Sequence, residues 1–154
     1  MSELGNRLAR VQAEIKAKKE QSDLKEAKAK EDKAQLYRGS TDEWTLLVSD
    51  MEKEADAVDA FSYGNGTFHI GGASLTLSRA AGKDGVTHRA KLQTVGDITP
   101  DREFSIMPKL SAIGIQWDVV GISYSKSTAE LKAFLFDELL ALYQAAQLTP
   151  HRSY

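Results

Sequence analysis

Between Phe61 and Val95 the apolar residues recur at every second position, and this period constrains the chain more than any other feature. A period of two marks strands with one buried face. Asn65-Gly66 supplies a hairpin turn, because both residue types accept the left-handed backbone that a two-residue turn demands. Centred there, Phe61 faces Ile70 and Tyr63 faces Phe68, and His69 falls on the other side. Gly71-Gly72 interrupts the pattern. A second hairpin then runs over 73–79, turns at Gly82-Lys83-Asp84-Gly85 and returns over 86–95. It pairs Leu75 with Leu92 and Leu77 with Ala90. Ser74, Thr76, Ser78, Arg89, Lys91 and Gln93 share the opposite face. The pattern describes an antiparallel sheet, buried on one side and wet on the other.

Further strands follow. Phe104 and Ile106 point inward from a short strand over 103–107, which Pro108 is expected to end. Ile113, Ile115, Trp117 and Val119 alternate, and Val120, Ile122 and Tyr124 continue in the opposite phase. That shift predicts a bulge or bend in one long strand.

Two helices flank the sheet. Gly39 closes the preceding segment, and Ser40 with Glu43 has the spacing of a capping box. Trp44, Leu47, Val48, Met51, Ala55 and Val58 then lie on one face of a helix over 41–59. Ser127 and Glu130 form a second box before a helix over 128–146. Leu131, Phe134, Leu135, Leu139, Leu142 and Ala146 share its broad apolar side. Phe136, Leu140 and Tyr143 widen that side beyond a sheet-facing stripe, so they are expected to meet the 41–59 helix or a second chain.

Residues 1–38 differ in kind. They hold one glycine and no proline, and they carry net +3, whereas 39–154 carry net −5. Ala, Lys, Glu, Gln and Leu dominate, and all favour a helix. About 35 helical residues would reach roughly 50 Å. Leu4, Leu8, Val11 and Ile15 step by 4, 3 and 4, a coiled-coil seam that fades into Lys18, Ser22 and Lys25. Ser2 with Gly5 makes a poor capping box, so the first turn is expected to fray. The reading is an α+β chain: a long N-terminal helical arm over 1–38, then a domain over 39–148 and a flexible tail over 149–154. In the domain, an antiparallel sheet of four to six strands packs on the C-terminal helix.

The sequence offers little chemistry. With no cysteine among its 154 residues, thiolate metal sites, iron–sulfur clusters and cysteine nucleophiles are excluded. His69, His88 and His151 lack helical ligand spacing and read as surface or rim imidazoles. The glycines near 64–72 and 82 match no phosphate loop, and no nucleophile-elbow motif is present. Asp97, Asp101 and Glu103 lack the alternation of a calcium loop. No catalytic, cofactor or metal site is therefore assigned, and the motifs carry no family resemblance. No apolar run is long enough to span a membrane. The first residues lack a signal peptide's apolar stretch, so a cytoplasmic protein is expected.

What remains is binding. The leading expectation is a non-enzymatic interaction module, a homo-oligomer or the ligand of a protein partner. It would bind through Leu4, Leu8, Val11 and Ile15 and through Phe136, Leu140 and Tyr143. The alternative is nucleic-acid contact through Lys16, Lys18, Lys19, Lys25 and Lys28, with Arg89 and Lys91 on the sheet. Seven acidic residues interleave with the arm's cations, which weakens that alternative. A third reading, a small-ligand domain, needs a pocket between sheet and C-terminal helix with inward polar groups such as His88.

Overall fold

The computed structural model describes residues 2–82, 85–97 and 99–148. Lys83 and Asp84, the side chain of Asp97, His151 and the tail from 149 lie outside the described residues. The chain divides into two compact units, Met1–Gln35 and Leu36–Tyr154. Helix α1 spans Glu3–Asp56 and helix α2 spans Thr128–Leu148. Between them lie β1 (Phe61–Gly64), β2 (Thr67–Ile70), β3 (Ala73–Gly82), β4 (Gly85–Thr94), β5 (Arg102–Ser111) and β6 (Gly114–Val119). The six strands form one antiparallel sheet in chain order, and the fold is α+β.

The hairpin registers follow the alternation. Phe61 pairs with Ile70 and Tyr63 with Phe68, while Leu75 pairs with Leu92 and Leu77 with Ala90. Asn65 and Gly66 both take positive φ, at 53° and 77°, as a two-residue hairpin turn requires. Gly66 also serves the neighbouring strand. Its carbonyl accepts from Leu77 N at 2.8 Å, and a Cβ there would lie 2.8 Å from the Leu77 oxygen.

The helix does not break at Gly39. Ser40 and Thr41 point their hydroxyls back to the Tyr37 carbonyl, at 3.1 and 2.8 Å, and so stay within the helix rather than capping a new one. Gly39 serves tertiary packing instead. A Cβ there would meet the Ile115 side chain at 3.1 Å. Glu43, the expected partner of Ser40, instead accepts a bond from Thr128 Oγ1 at 2.7 Å. At the other end, Ser2 Oγ accepts from Gly5 N at 3.1 Å, so the first turn is capped.

Two strand expectations change as well. β5 continues through Pro108 to Ser111. Its pairing with β4 stops at Ile106 while pairing with β6 goes on, and Pro108 faces Trp117. Ile106 and Pro108 share the backbone phase that turns toward β4. Beyond the last β4 pair no donor is needed there, so proline is tolerated. β6 ends at Val119 rather than running on. Gly121 takes φ of 92° and the chain doubles back, so that Lys126 forms an antiparallel bridge with Trp117.

One face of the sheet carries Phe68, Ile70, Leu75, Leu77, Ala90, Leu92, Ile106, Trp117 and Val119, all buried. Two helical stripes cover it: Trp44, Leu47, Met51 and Ala55 of α1, and Leu131, Leu135, Leu139, Leu142 and Ala146 of α2. The broad apolar side of α2 is met by the sheet itself. Phe136 packs edge-on against Phe61 and Phe68, both with ring centroids 6.2 Å away. On the other flank Phe134 packs against Phe104 at 5.4 Å. Six strands at ~4.8 Å spacing are more than twice as wide as a ~10 Å helix, so the sheet reaches both flanks.

Ser127 and Glu130 cap α2 reciprocally. Ser127 Oγ accepts from Glu130 N, and Glu130 Oε1 accepts from Ser127 N, both at 3.2 Å. The Ser127 N–H, and then its hydroxyl, hold the Glu130 carboxyl below its ordinary pKa.

Two substitutions test this arrangement by urea unfolding. Gly39→Pro should cost about 3 kcal/mol or more, since proline in a helix interior removes a bond and clashes with the preceding turn. An unchanged midpoint would mean that the helix ends there. Leu139→Ala should cost about 2–5 kcal/mol and Leu140→Ala well under half of that, because Leu139 is buried and Leu140 is 43% exposed. Equal costs would refute the phase of α2.

Candidate functional site

Four large apolar side chains stand in water near the start of α1. Leu4, Leu8, Val11 and Ile15 are 76%, 55%, 49% and 48% exposed. The Ser2 cap and the Arg7–Glu3 ion pair at 3.1 Å support the turn that begins the seam. That pair is largely exposed to solvent and contributes little to stability. The lysines at 16, 18, 19, 25 and 28 are exposed along the same helix. Helical geometry alone creates this stripe, since residues 3 and 4 apart share a face.

The residues expected to extend the surface on α2 are placed differently. Phe136 and Tyr143 are half-buried and pack on the core. The Tyr143 ring lies on Gly71, where a Cβ would approach it to 2.7 Å. Gly71 has φ of 54°, so glycine suits both the backbone and the close approach there. Leu140 alone of the three is exposed.

The outer sheet face is charged but balanced. Arg89 meets Glu103 at 3.5 Å, Lys91 meets Asp101 at 3.8 Å and Lys109 meets Asp118 at 3.9 Å. Gln93 Nε2 also donates to Asp101, at 3.2 Å. Arg89 and Lys91 therefore lie beside carboxylates rather than forming an open cationic patch. His69 is exposed on this face, paired across strands with Ser62 and Ser74. Among the described residues no three His, Asp or Glu side chains converge as a metal site would require.

A shallow cleft of about 180 Å³ separates α1 from the start of α2, lined by Glu43, Leu46, Leu47, Asp50, Thr128, Ala129 and Lys132. Three of its polar groups, Glu43, Thr128 and Lys132, are engaged. Trp117 Nε1 donates to Thr128 Oγ1 at 3.0 Å, and that hydroxyl donates to Glu43 Oε2 at 2.7 Å. Lys132 reaches Glu54 at 3.6 Å. This chain of bonds ties α1, β6 and α2 together.

His88 is not at the rim. It sits on the inner face of β4, fully buried, with its ring centroid 4.5 Å from Trp44 and 5.1 Å from Trp117. Neither ring nitrogen has a hydrogen-bond partner among the described residues. Both indoles pack directly against its ring. Its inward direction was legible, because His88 lies two residues from Ala90 on one strand. Its aromatic enclosure was not, since that joins residues 44, 88 and 117. Lys126 is also buried. Its ammonium lies 4.3 Å from the centre of the Tyr124 ring and 5.1 Å from that of Phe134, a cation–π arrangement, and its charge also acts on the Glu130 carboxyl.

Burial, and then the charge of the cross-strand neighbour Arg79, push His88 down from 6.5 to about 4. The unfolded chain therefore binds a proton at a higher pH than the folded one. His88's contribution is complete above pH 6.5 and is lost as pH falls toward 4. At about 1.4 kcal/mol per pH unit, the loss approaches about 3 kcal/mol. His88→Gln should flatten this part of the stability–pH curve in urea unfolding. A curve that keeps its slope would show that other groups dominate. Compared with family models, curated proteins and solved structures, the chain matches none.

Proposed function

We propose that the protein is a non-enzymatic assembly module that binds another chain through the first turns of α1. One observation carries this reading: Leu4, Leu8, Val11 and Ile15 form a coiled-coil stripe on a capped helix and are all exposed. Burying such side chains is worth about 1.5–3 kcal/mol each, so four in water favour a partner. A helix laid along a 4-3-4 stripe is the partner shape that suits them.

The interior supports a structural rather than a catalytic role. His88 is packed between tryptophans, and in the α1–α2 cleft Thr128 and Glu43 bond to each other. Nucleic-acid binding through the arm draws less support. Glu14, Glu20, Asp23 and Glu26 interleave with its lysines, and the sheet cations Arg89 and Lys91 meet carboxylates.

The test is the solution mass of the full chain by light scattering across a concentration series. Wild type should exceed the mass of one chain, and Leu8→Asp combined with Ile15→Asp should return to it. Equal masses for the two proteins at every concentration would overturn the reading.

A further inference from the structure

We infer that the seam pairs with a second copy of this chain, laid antiparallel over residues 4–15. This rests on the assembly reading above and adds the identity and direction of the partner. In heptad terms Leu4 and Val11 are d residues, and Leu8 and Ile15 are a residues. The next core positions are Lys18, Ser22 and Lys25.

A parallel, in-register pair would continue past Ile15 and set Lys18 against the partner's Lys18 and Lys25 against the partner's Lys25. Two steps further it would set Lys28, at g, beside the partner's Lys33, at e. Like charges at core and flanking positions oppose pairing. α1 continues as helix through all of these positions, so both copies would present them.

An antiparallel pair avoids this. Centred between Ala9 and Arg10, it places Leu4 against the partner's Ile15 and Leu8 against the partner's Val11, twice over by symmetry. All four apolar residues are covered. The partner helix ends at its Glu3, opposite Lys16, so Lys18 and Lys25 extend past it into water. The flanking g positions then set Arg7 against the partner's Glu14, also twice, which is complementary in charge. Arg7 can exchange into this pair, because its bond to Glu3 is largely exposed to solvent. Glu14 would also find Lys19 in a parallel pair. The discrimination therefore rests on Lys18, Lys25 and the Lys28–Lys33 contact.

Two heptads give a weak contact, so the test traps it covalently. The chain has no cysteine, and Leu8→Cys and Val11→Cys are each unique thiols in the full-length protein. The two variants are mixed and oxidised in a glutathione buffer. The expected product is the 8–11 disulfide, several-fold above its statistical share. Dominant 8–8 and 11–11 products would overturn the antiparallel direction and leave the assembly reading intact. Disulfide yields no higher than for Ala13→Cys, on the far side of the helix, would overturn self-pairing. In that case a wild-type mass above one chain keeps assembly with other contacts, and a single-chain mass removes both.

Discussion

The rest of the structure depends on covering an apolar sheet face that is six strands wide. No single helix can do so at ~10 Å diameter. The chain therefore brings in helical segments from both sides of the sheet in sequence, the second half of α1 and the whole of α2. Trp117 sits where they converge. Its ring touches Trp44 and His88, its indole N–H donates to Thr128, and its backbone bridges to Lys126. Two polar side chains are drawn into this region, His88 and Lys126. Aromatic faces pack against both. A neutral imidazole tolerates such surroundings, and a cation gains from the negative ring faces.

Much of the fold was legible because its signals are local. Asn65-Gly66 and strict alternation fix the register of the β1–β2 and β3–β4 hairpins, and Ser127 with Glu130 marks the start of α2. Several of the misreadings share one cause. Gly39 resembles a helix stop, yet its missing side chain answers to Ile115, 76 positions away in sequence. Pro108 resembles a strand stop, yet β4 has already ceased to pair beside it. Ser40 and Glu43 have capping spacing, but their partners are Tyr37 and Thr128. For Gly39, Pro108 and Glu43 a contact distant in sequence decides what a local motif leaves open, whereas Ser40 bonds back within its own helix. The arm seam needs only helical periodicity, and so it was visible from the residues. The enclosure of His88 was not, because three separated elements build it.

The two faces of the sheet solve opposite problems. The inner face excludes water, whereas the outer face stays soluble with charge arranged in cross-strand pairs of opposite sign. Such pairs add little stability individually. Their effect is to leave no broad field of one sign. The unbalanced charge of the chain lies elsewhere, positive in the first 38 residues and negative beyond.

The bond between Glu43 and Thr128 spans 85 residues, and this separation matters during synthesis. The hairpins of the meander join neighbours in sequence and can close soon after each emerges from the ribosome. The inner face, however, keeps half its cover in reserve until α2 has been made. At ribosomal rates of about 5–20 residues per second, the β3–β4 hairpin waits seconds with Leu75, Leu77 and Leu92 only partly shielded. The long polar stretch of α1, made before the sheet and rich in charge, is then already part of the nascent chain. It accompanies an incomplete sheet through the interval in which that sheet is most prone to stick to others.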